Sequence, residues 1–134
     1  MLSCGLRDVN LLAAKGRAVL KVKRIYETPA TSDGYRVLVD RLWPRGVSKQ
    51  AAHVDLWMKE IAPSSDLRQW FGHDPQRWAG FQRRYRRELR QMPQLTKQLK
   101  QLIKEHRSVT LVFSARDDRR NQAVALRAFL RPRT

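Results

Sequence analysis

The stretch Tyr35-Arg-Val-Leu-Val-Asp-Arg-Leu-Trp-Pro-Arg-Gly46 decides the fold. Its apolar centre, Val37–Val39, has no polar alternation, which is typical of a β-strand covered on both faces. The proline and glycine at its end stop the strand, so we expect it to run from Tyr35 to Trp43. A second run of this kind, Val109–Phe113, lies near the C-terminus, and its β-branched residues argue against a helix. The sequence therefore predicts two buried strands.

A third strand and several helices surround these two strands. Val22–Tyr26 has basic residues interleaved with apolar ones, which is typical of a strand at the edge of a sheet. Between the two buried strands, apolar residues recur at spacings of three and four, and cap residues precede them. The predicted helices are Asp55–Ile61, Leu67–Phe71 after the cap cluster Ser64–Asp66, Trp78–Met92 after Asp74-Pro75, Leu95–Ile103 and Ala123–Leu130.

The order strand, strand, several helices, strand, helix predicts an α/β fold. We expect a small parallel or mixed sheet with helices packed on its faces, in a single domain. The length of 134 residues and a hydrophobic content of 42% fit one globular domain. We expect residues 1–18 to be an N-terminal extension, ordered or not, and residues 19–134 to form the domain.

Charge is the unusual feature of the composition. The chain has 28 Lys and Arg against 12 Asp and Glu, a formal net charge of +16, and 20 of the basic residues are arginine. This favours an anionic partner, either a small phosphate- or carboxylate-bearing ligand or a nucleic acid. Cys4 is the single cysteine, which excludes an intramolecular disulfide, and no apolar run reaches the ~20 residues that span a bilayer. We expect a cytoplasmic protein with no membrane partner.

Polar residues follow both predicted buried strands. Asp40-Arg41 comes after the first, and Ser114–Asp117 comes after the second. If the strands are parallel, these residues meet at the edge of the sheet where ligands bind in α/β folds. Arginine would bind an anionic group, while a nearby carboxylate could act as a base. The alternative is a structural role, as a buried ion pair or, for Asp117, as a turn or cap residue.

His73 is a second candidate for chemistry. It lies between two predicted helices, where it could titrate beside a cleft, although a plain loop position is the alternative. His53, His73 and His106 lack the spacing of metal ligands, and neither a phosphate-binding glycine loop nor a dinucleotide motif is present. We predict no metal and no cofactor.

These residues together predict a pocket for a small anionic ligand at the strand ends. The four tryptophans are expected to be mostly core, with Trp43 the one that lines the pocket. The candidate catalytic residues are Asp40, His73 and Asp117. The candidate ligand-binding residues are Arg41, Trp43, Arg45, Gly46, Trp70, Arg116 and Asn121.

An arginine stripe, defined as Arg83, Arg86, Arg87 and Arg90, supports a different function. It lies opposite the apolar face of its predicted helix, and residues 83–107 hold nine basic and two acidic residues, a net charge of +7. Phosphate backbones bind such surfaces without base specificity, so nucleic-acid binding is the alternative function. A merely solvated charged face and a partner-binding or structural protein stay open as well.

Four stretches resemble the YeaO-like family of bacterial proteins of unknown function, over roughly residues 19–131. They are Lys21–Glu27, Asp33–Gly46, Ala62–Pro75 and Ser114–Asp117. The resemblance implies a small cytoplasmic α/β protein without an established activity. The positions of this chain that match the family's characteristic residues are Asp40, Arg41, Trp43, Pro44, Arg45, Gly46, Trp70, Gly72, His73, Arg116 and Asp117.

One position departs from the family pattern. Some relatives have Asn-His near the start of the last helix, where this chain has Asn121-Gln122. If that histidine is catalytic, the resemblance implies that activity is impaired in this chain.

Overall fold

A four-stranded parallel sheet forms the centre of the protein, whose structure, a computed structural model, describes residues 18–131. The strands are β1 (Val19–Arg24), β2 (Tyr35–Leu38), β3 (Leu56–Trp57) and β4 (Ser108–Phe113). Their spatial order is β1-β4-β2-β3, with every adjacent pair parallel. The predicted α/β fold is therefore confirmed. The two apolar runs form the inner strands β2 and β4, and β1 lies at an edge as predicted.

Most helices begin where the sequence places a capping residue. Ser64, Asp74 and Asn121 each accept a backbone N–H from the first turn that follows. A short 3-10 turn separates Asp74 from the long third helix. The helices are α1 (Lys49–Ala52), α2 (Ser65–Phe71), α3 (Trp78–Arg90), α4 (Pro93–His106) and α5 (Gln122–Leu130).

The prediction of a helix over Asp55–Ile61 is wrong. This segment forms strand β3 and then a 3-10 turn. The amide of Asp55 donates to the carbonyl of Arg36, and that of Met58 donates to Leu38. The free edge of β2 thus satisfies backbone groups that a helix would satisfy internally, which a short apolar periodicity cannot reveal. The strand predicted to reach Trp43 also ends earlier, at Leu38.

The sheet is covered on both faces, with the larger core on one side. Val37 and Val39 belong to the large cluster with residues of α2, α3, α4 and α5, whereas Leu38 packs on the opposite face. This alternation is the side-chain period of a strand. Trp43 and Trp57 cover the smaller face, with ring centroids 5.4 Å apart. Each inner strand is therefore buried on both sides, as its apolar sequence indicates.

None of the helices within residues 18–131 has the length and apolar character needed to cross a membrane. The predicted N-terminal extension, except for residue 18, lies outside the described residues.

Candidate functional site

The register of the two inner strands brings the sequence-predicted polar residues together. Tyr35 lies opposite Val109 and Leu38 opposite Val112. Continued past the strand ends, this parallel register sets Asp40 beside Ser114. The Ser114 backbone N–H donates to Oδ2 of Asp40 at 3.0 Å. The two loops therefore share one edge of the sheet, as the sequence predicts.

The carboxylate of Asp40 is the buried polar centre of this edge. It is 8% exposed, and its Oδ1 accepts a hydrogen bond from the side-chain amide of Gln122. Burial raises the pKa of Asp40, although the hydrogen bonds from Ser114 and Gln122 and the positive charge of Arg68 oppose the rise. One hydrogen bond on each oxygen therefore ties Asp40 both to the β4 loop and to the start of α5.

A cavity of about 320 Å³ opens beside Asp40. One wall is polar and comes from the ends of β2 and β4 and from the first residues of α5. The other wall is apolar and includes Phe71 and Phe81, whose rings stack with centroids 4.5 Å apart. The lining residues are Asp40, Arg41, Leu42, Ala62, Pro63, Arg68, Gln69, Phe71, His73, Phe81, Ser114, Ala115, Arg120, Asn121 and Gln122.

Three arginines line the cavity, each in a different state. Nη2 of Arg41 donates to the carbonyls of Ala62 and Pro63, while its buried Nε has no hydrogen-bond partner among the described residues. Arg120 forms an ion pair with Asp117 at 3.0 Å. Arg68 is exposed and forms no ion pair within residues 18–131. Arg68 is therefore the cation most available to a ligand.

The chain between α2 and α3 carries His73 to the same cavity. Gly72 ends α2 with φ of +50°, and His73 follows with φ of +59°. Two successive left-handed residues reverse the chain, and the second is uncommon for a residue with a side chain. Of the candidate residues predicted from sequence, the structure gathers Asp40, Arg41, His73 and Asn121 around the cavity.

Three predicted ligand-binding residues of the β2 loop do not line the cavity. Trp43 turns to the smaller face of the sheet, where its Nε1 donates to the carbonyl of Val47. Arg45 is exposed and its carbonyl accepts from Tyr26, and Gly46 lies in a turn with φ of +77°. The loop bends away after Leu42, so proximity in sequence does not place these residues at the pocket.

Trp70, Arg116 and Asp117 are also not among the lining residues. Trp70 lies on the flank of α3, and Arg116 is exposed. Asp117 accepts hydrogen bonds from the backbone amides of Arg119 and Arg120, so it has the turn-forming role that was the alternative to a catalytic one. Those amides and Arg120 hold the pKa of Asp117 below its usual value, although its slight desolvation acts in the opposite direction.

Arg68, Arg120 and Gln122 line the cavity although they were not among the predicted site residues. The sequence did mark Gln122 as unusual, because this position departs from the Asn-His pattern of some relatives. Arg68 is one of many arginines, and only the position of α2 distinguishes it. Within residues 18–131, no three His, Cys, Asp or Glu side chains cluster as metal ligands would.

The comparisons with known proteins agree with the resemblance seen in the sequence. A family model described as the inactive DUF488-N3 subclade matches residues 19–134. The uncharacterized protein YeaO of Escherichia coli K12 is 42% identical over 112 residues, which are 84% of this chain and 96% of that protein. The uncharacterized proteins Rv3073c of Mycobacterium tuberculosis and Mb3100c of Mycobacterium bovis are each 39% identical over 114 residues, 85% of this chain and 95% of theirs. No solved structure matches the chain significantly.

Proposed function

The chain belongs to the inactive DUF488-N3 subclade, and we propose that its cavity binds a small anionic, phosphate-bearing ligand without turning it over. The observation that carries the proposal is that one cavity contains a hydrogen-bonded carboxylate, that of Asp40, and a cation without an ion-pair partner in the described chain, that of Arg68. Asp40 accepts one hydrogen bond on each oxygen, and Arg68 lines the same cavity without an ion pair in the described chain.

The cationic groups of the cavity favour an anion. Arg68 offers a planar set of donors that matches a phosphate or carboxylate. Arg41 also lines the cavity and adds a second positive charge. The N-terminal end of α5, at Asn121 and Gln122, adds the positive end of a helix dipole.

The polar wall is arranged for binding more than for proton transfer. A histidine at position 122 could exchange a proton with Asp40, whereas Gln122 donates to Oδ1 of Asp40 and does not titrate. This arrangement is in keeping with membership of an inactive subclade. The apolar wall of Phe71 and Phe81 suits a ligand that carries a ring or hydrocarbon part beside its anionic group.

Anion binding is expected to strengthen as the pH falls through the raised pKa of Asp40. Protonation removes the one negative charge from the cavity, so the affinity for sulfate should rise by about tenfold or more. Isothermal titration calorimetry with sulfate, in steps from neutral pH into the acid range, measures this. The parent protein and the Asp40→Asn control both carry His73→Gln, so that the His73 side chain does not affect sulfate binding.

The matched control is Asp40→Asn in the same background. It is expected to bind sulfate with the same affinity at every pH, at the level that the parent reaches in acid. If Asp40→Asn keeps the pH dependence of the parent, or if the parent binds no sulfate at any pH, the proposed function is wrong.

The raised pKa of Asp40 also makes the folded state lose stability as the pH rises through that pKa, because the ionised carboxylate is better solvated in the unfolded chain.

A further inference from the structure

The outer surface of α3 carries a row of arginines that the cavity does not use. Arg83, Arg87 and Arg90 are exposed and form no ion pair within residues 18–131. Two acids, Asp66 and Glu88, line the same groove as Arg83, Arg84 and Arg87, but neither forms an ion pair with these arginines within residues 18–131. Glu88 instead accepts the backbone N–H and the hydroxyl of Ser64, at 2.8 and 2.6 Å. The charge of this row is therefore not neutralised by contacts in the described chain.

A fourth arginine on the flank of α3 is held by an aromatic ring. The guanidinium of Arg84 lies 4.1 Å from the ring centroid of Trp70, and that of Arg77 lies 5.1 Å from it. Gly80 makes this packing possible, since a Cβ there would lie 2.8 Å from Cη2 of Trp70. Stacking fixes the plane of a guanidinium while its N–H groups stay free to donate at the edge.

We propose that Arg83, Arg84, Arg87 and Arg90, together the α3 surface, bind the phosphate backbone of a nucleic acid. Arg83 and Arg90 are about 10 Å apart along the helix axis at 1.5 Å per residue, too far for one phosphate to reach both ends of the row. A polymer with regularly spaced phosphates matches such a row, and arginine matches phosphate. Arg86 of the predicted stripe is half-buried and is not part of this surface.

A nucleic acid fits this surface better than an anionic membrane does. Helices that bind membranes insert large apolar side chains beside their basic ones. The large hydrophobic residues exposed within residues 18–131 are Val19, Tyr26 and Leu42, none of which lies on α3. The α3 surface shares no residue with the cavity, so this proposal stands or falls independently of the proposed function.

The test compares two triple variants that remove the same charge. Arg83→Ala/Arg87→Ala/Arg90→Ala changes the α3 surface, while Lys97→Ala/Lys100→Ala/Lys104→Ala removes three exposed charges from α4. Fluorescence anisotropy with a labelled DNA duplex, across a salt series, gives log K against log salt for each protein. The slope of the arginine variant is expected to be shallower than wild type by about 2.7, with binding at least about tenfold weaker near 0.1 M salt.

The lysine variant is expected to keep most of the wild-type slope. Equal losses in the two variants would mean that only net charge matters and would overturn the proposal. It is also overturned if wild type does not bind the duplex, or if it binds vesicles of anionic lipid as tightly as the duplex and with the same dependence on these arginines. Circular dichroism confirms that both variants are folded.

Discussion

Gly34→Ala is expected to destabilise the fold by about 3 kcal/mol or more. Gly34 has φ of +66° and ψ of −136°, a combination that residues with side chains essentially do not adopt. An added Cβ would also overlap the backbone carbonyl of Ser108 and lie 2.7 Å from its Cβ. Because Ser108 begins β4, relief of this overlap would move the two inner strands apart. Urea denaturation of the variant and wild type measures the difference.

Gly46→Ala is the matched control for this prediction. Gly46 has a similar φ of +77°, but an added Cβ would meet no atom within 4 Å. It should therefore cost only about 1 kcal/mol, from backbone strain alone. Similar losses of stability in the two variants would contradict the role assigned to the close contact between Gly34 and Ser108.

Asp33→Ala is expected to cost about 3–5 kcal/mol, because it leaves a buried arginine without its counter-ion. The side chains of Asp33 and Arg36 are each 3% exposed and are joined at 2.6 Å. Lys23 also pairs with Asp33, at 3.1 Å. The carbonyl of Asp33 accepts from the hydroxyl of Thr110, so the network ties β1, β2 and β4 together. Thermal and urea unfolding of the variant measure the loss.

The pH dependence of Asp33 gives the same prediction a second readout. Burial alone would raise its pKa, but hydrogen bonds from Ala30, Lys23 and Arg36 outweigh burial and lower it. Its contribution to stability is therefore complete above the pKa of the unfolded chain and is lost as the pH falls through the folded value. Asp33→Ala should unfold with less acid dependence than wild type.

Asp74→Ala is the control for the buried network. Asp74 forms an exposed ion pair with Arg77 at 3.9 Å and caps a 3-10 turn through the amide of Gln76. Its removal should cost about 1 kcal/mol, mostly from the lost cap. A loss for Asp33→Ala no larger than this would contradict the view that the buried network holds β1, β2 and β4 together.

The sequence could predict the inner strands of the sheet and the start of one helix, but not the edge strand β3. Uninterrupted apolar runs rich in β-branched residues identified both inner strands, since this composition favours a strand covered on both faces. The cap cluster Ser64–Asp66 located the start of α2, whereas the capping role of Asn121 at α5 was not predicted. The two-residue strand β3 escaped prediction because its hydrogen bonds come from β2, a partner distant in sequence. Local periodicity carries no information about such a partner.

The site was predictable only in part, for a similar reason. Parallel inner strands were enough to bring Asp40 together with the Ser114 loop. They could not show that the chain turns after Leu42 and sends Trp43 to the opposite face of the sheet. Nor could they identify Arg68 among 20 arginines, because its place at the cavity depends on the packing of α2.

The most direct test of the central claim is a titration of ¹⁵N-labelled protein with inorganic pyrophosphate at neutral pH, followed by NMR. Saturable shifts of the Ser114 backbone amide and of the Gln122 side-chain amide are expected. Binding is expected to be about tenfold or more weaker in Arg68→Ala, where a charged hydrogen bond is lost. Arg116→Ala, which removes an exposed arginine of the β4 loop outside the cavity, should bind as wild type does. No saturable shift at Ser114 and Gln122, or equal weakening by the two arginine variants, would contradict the account.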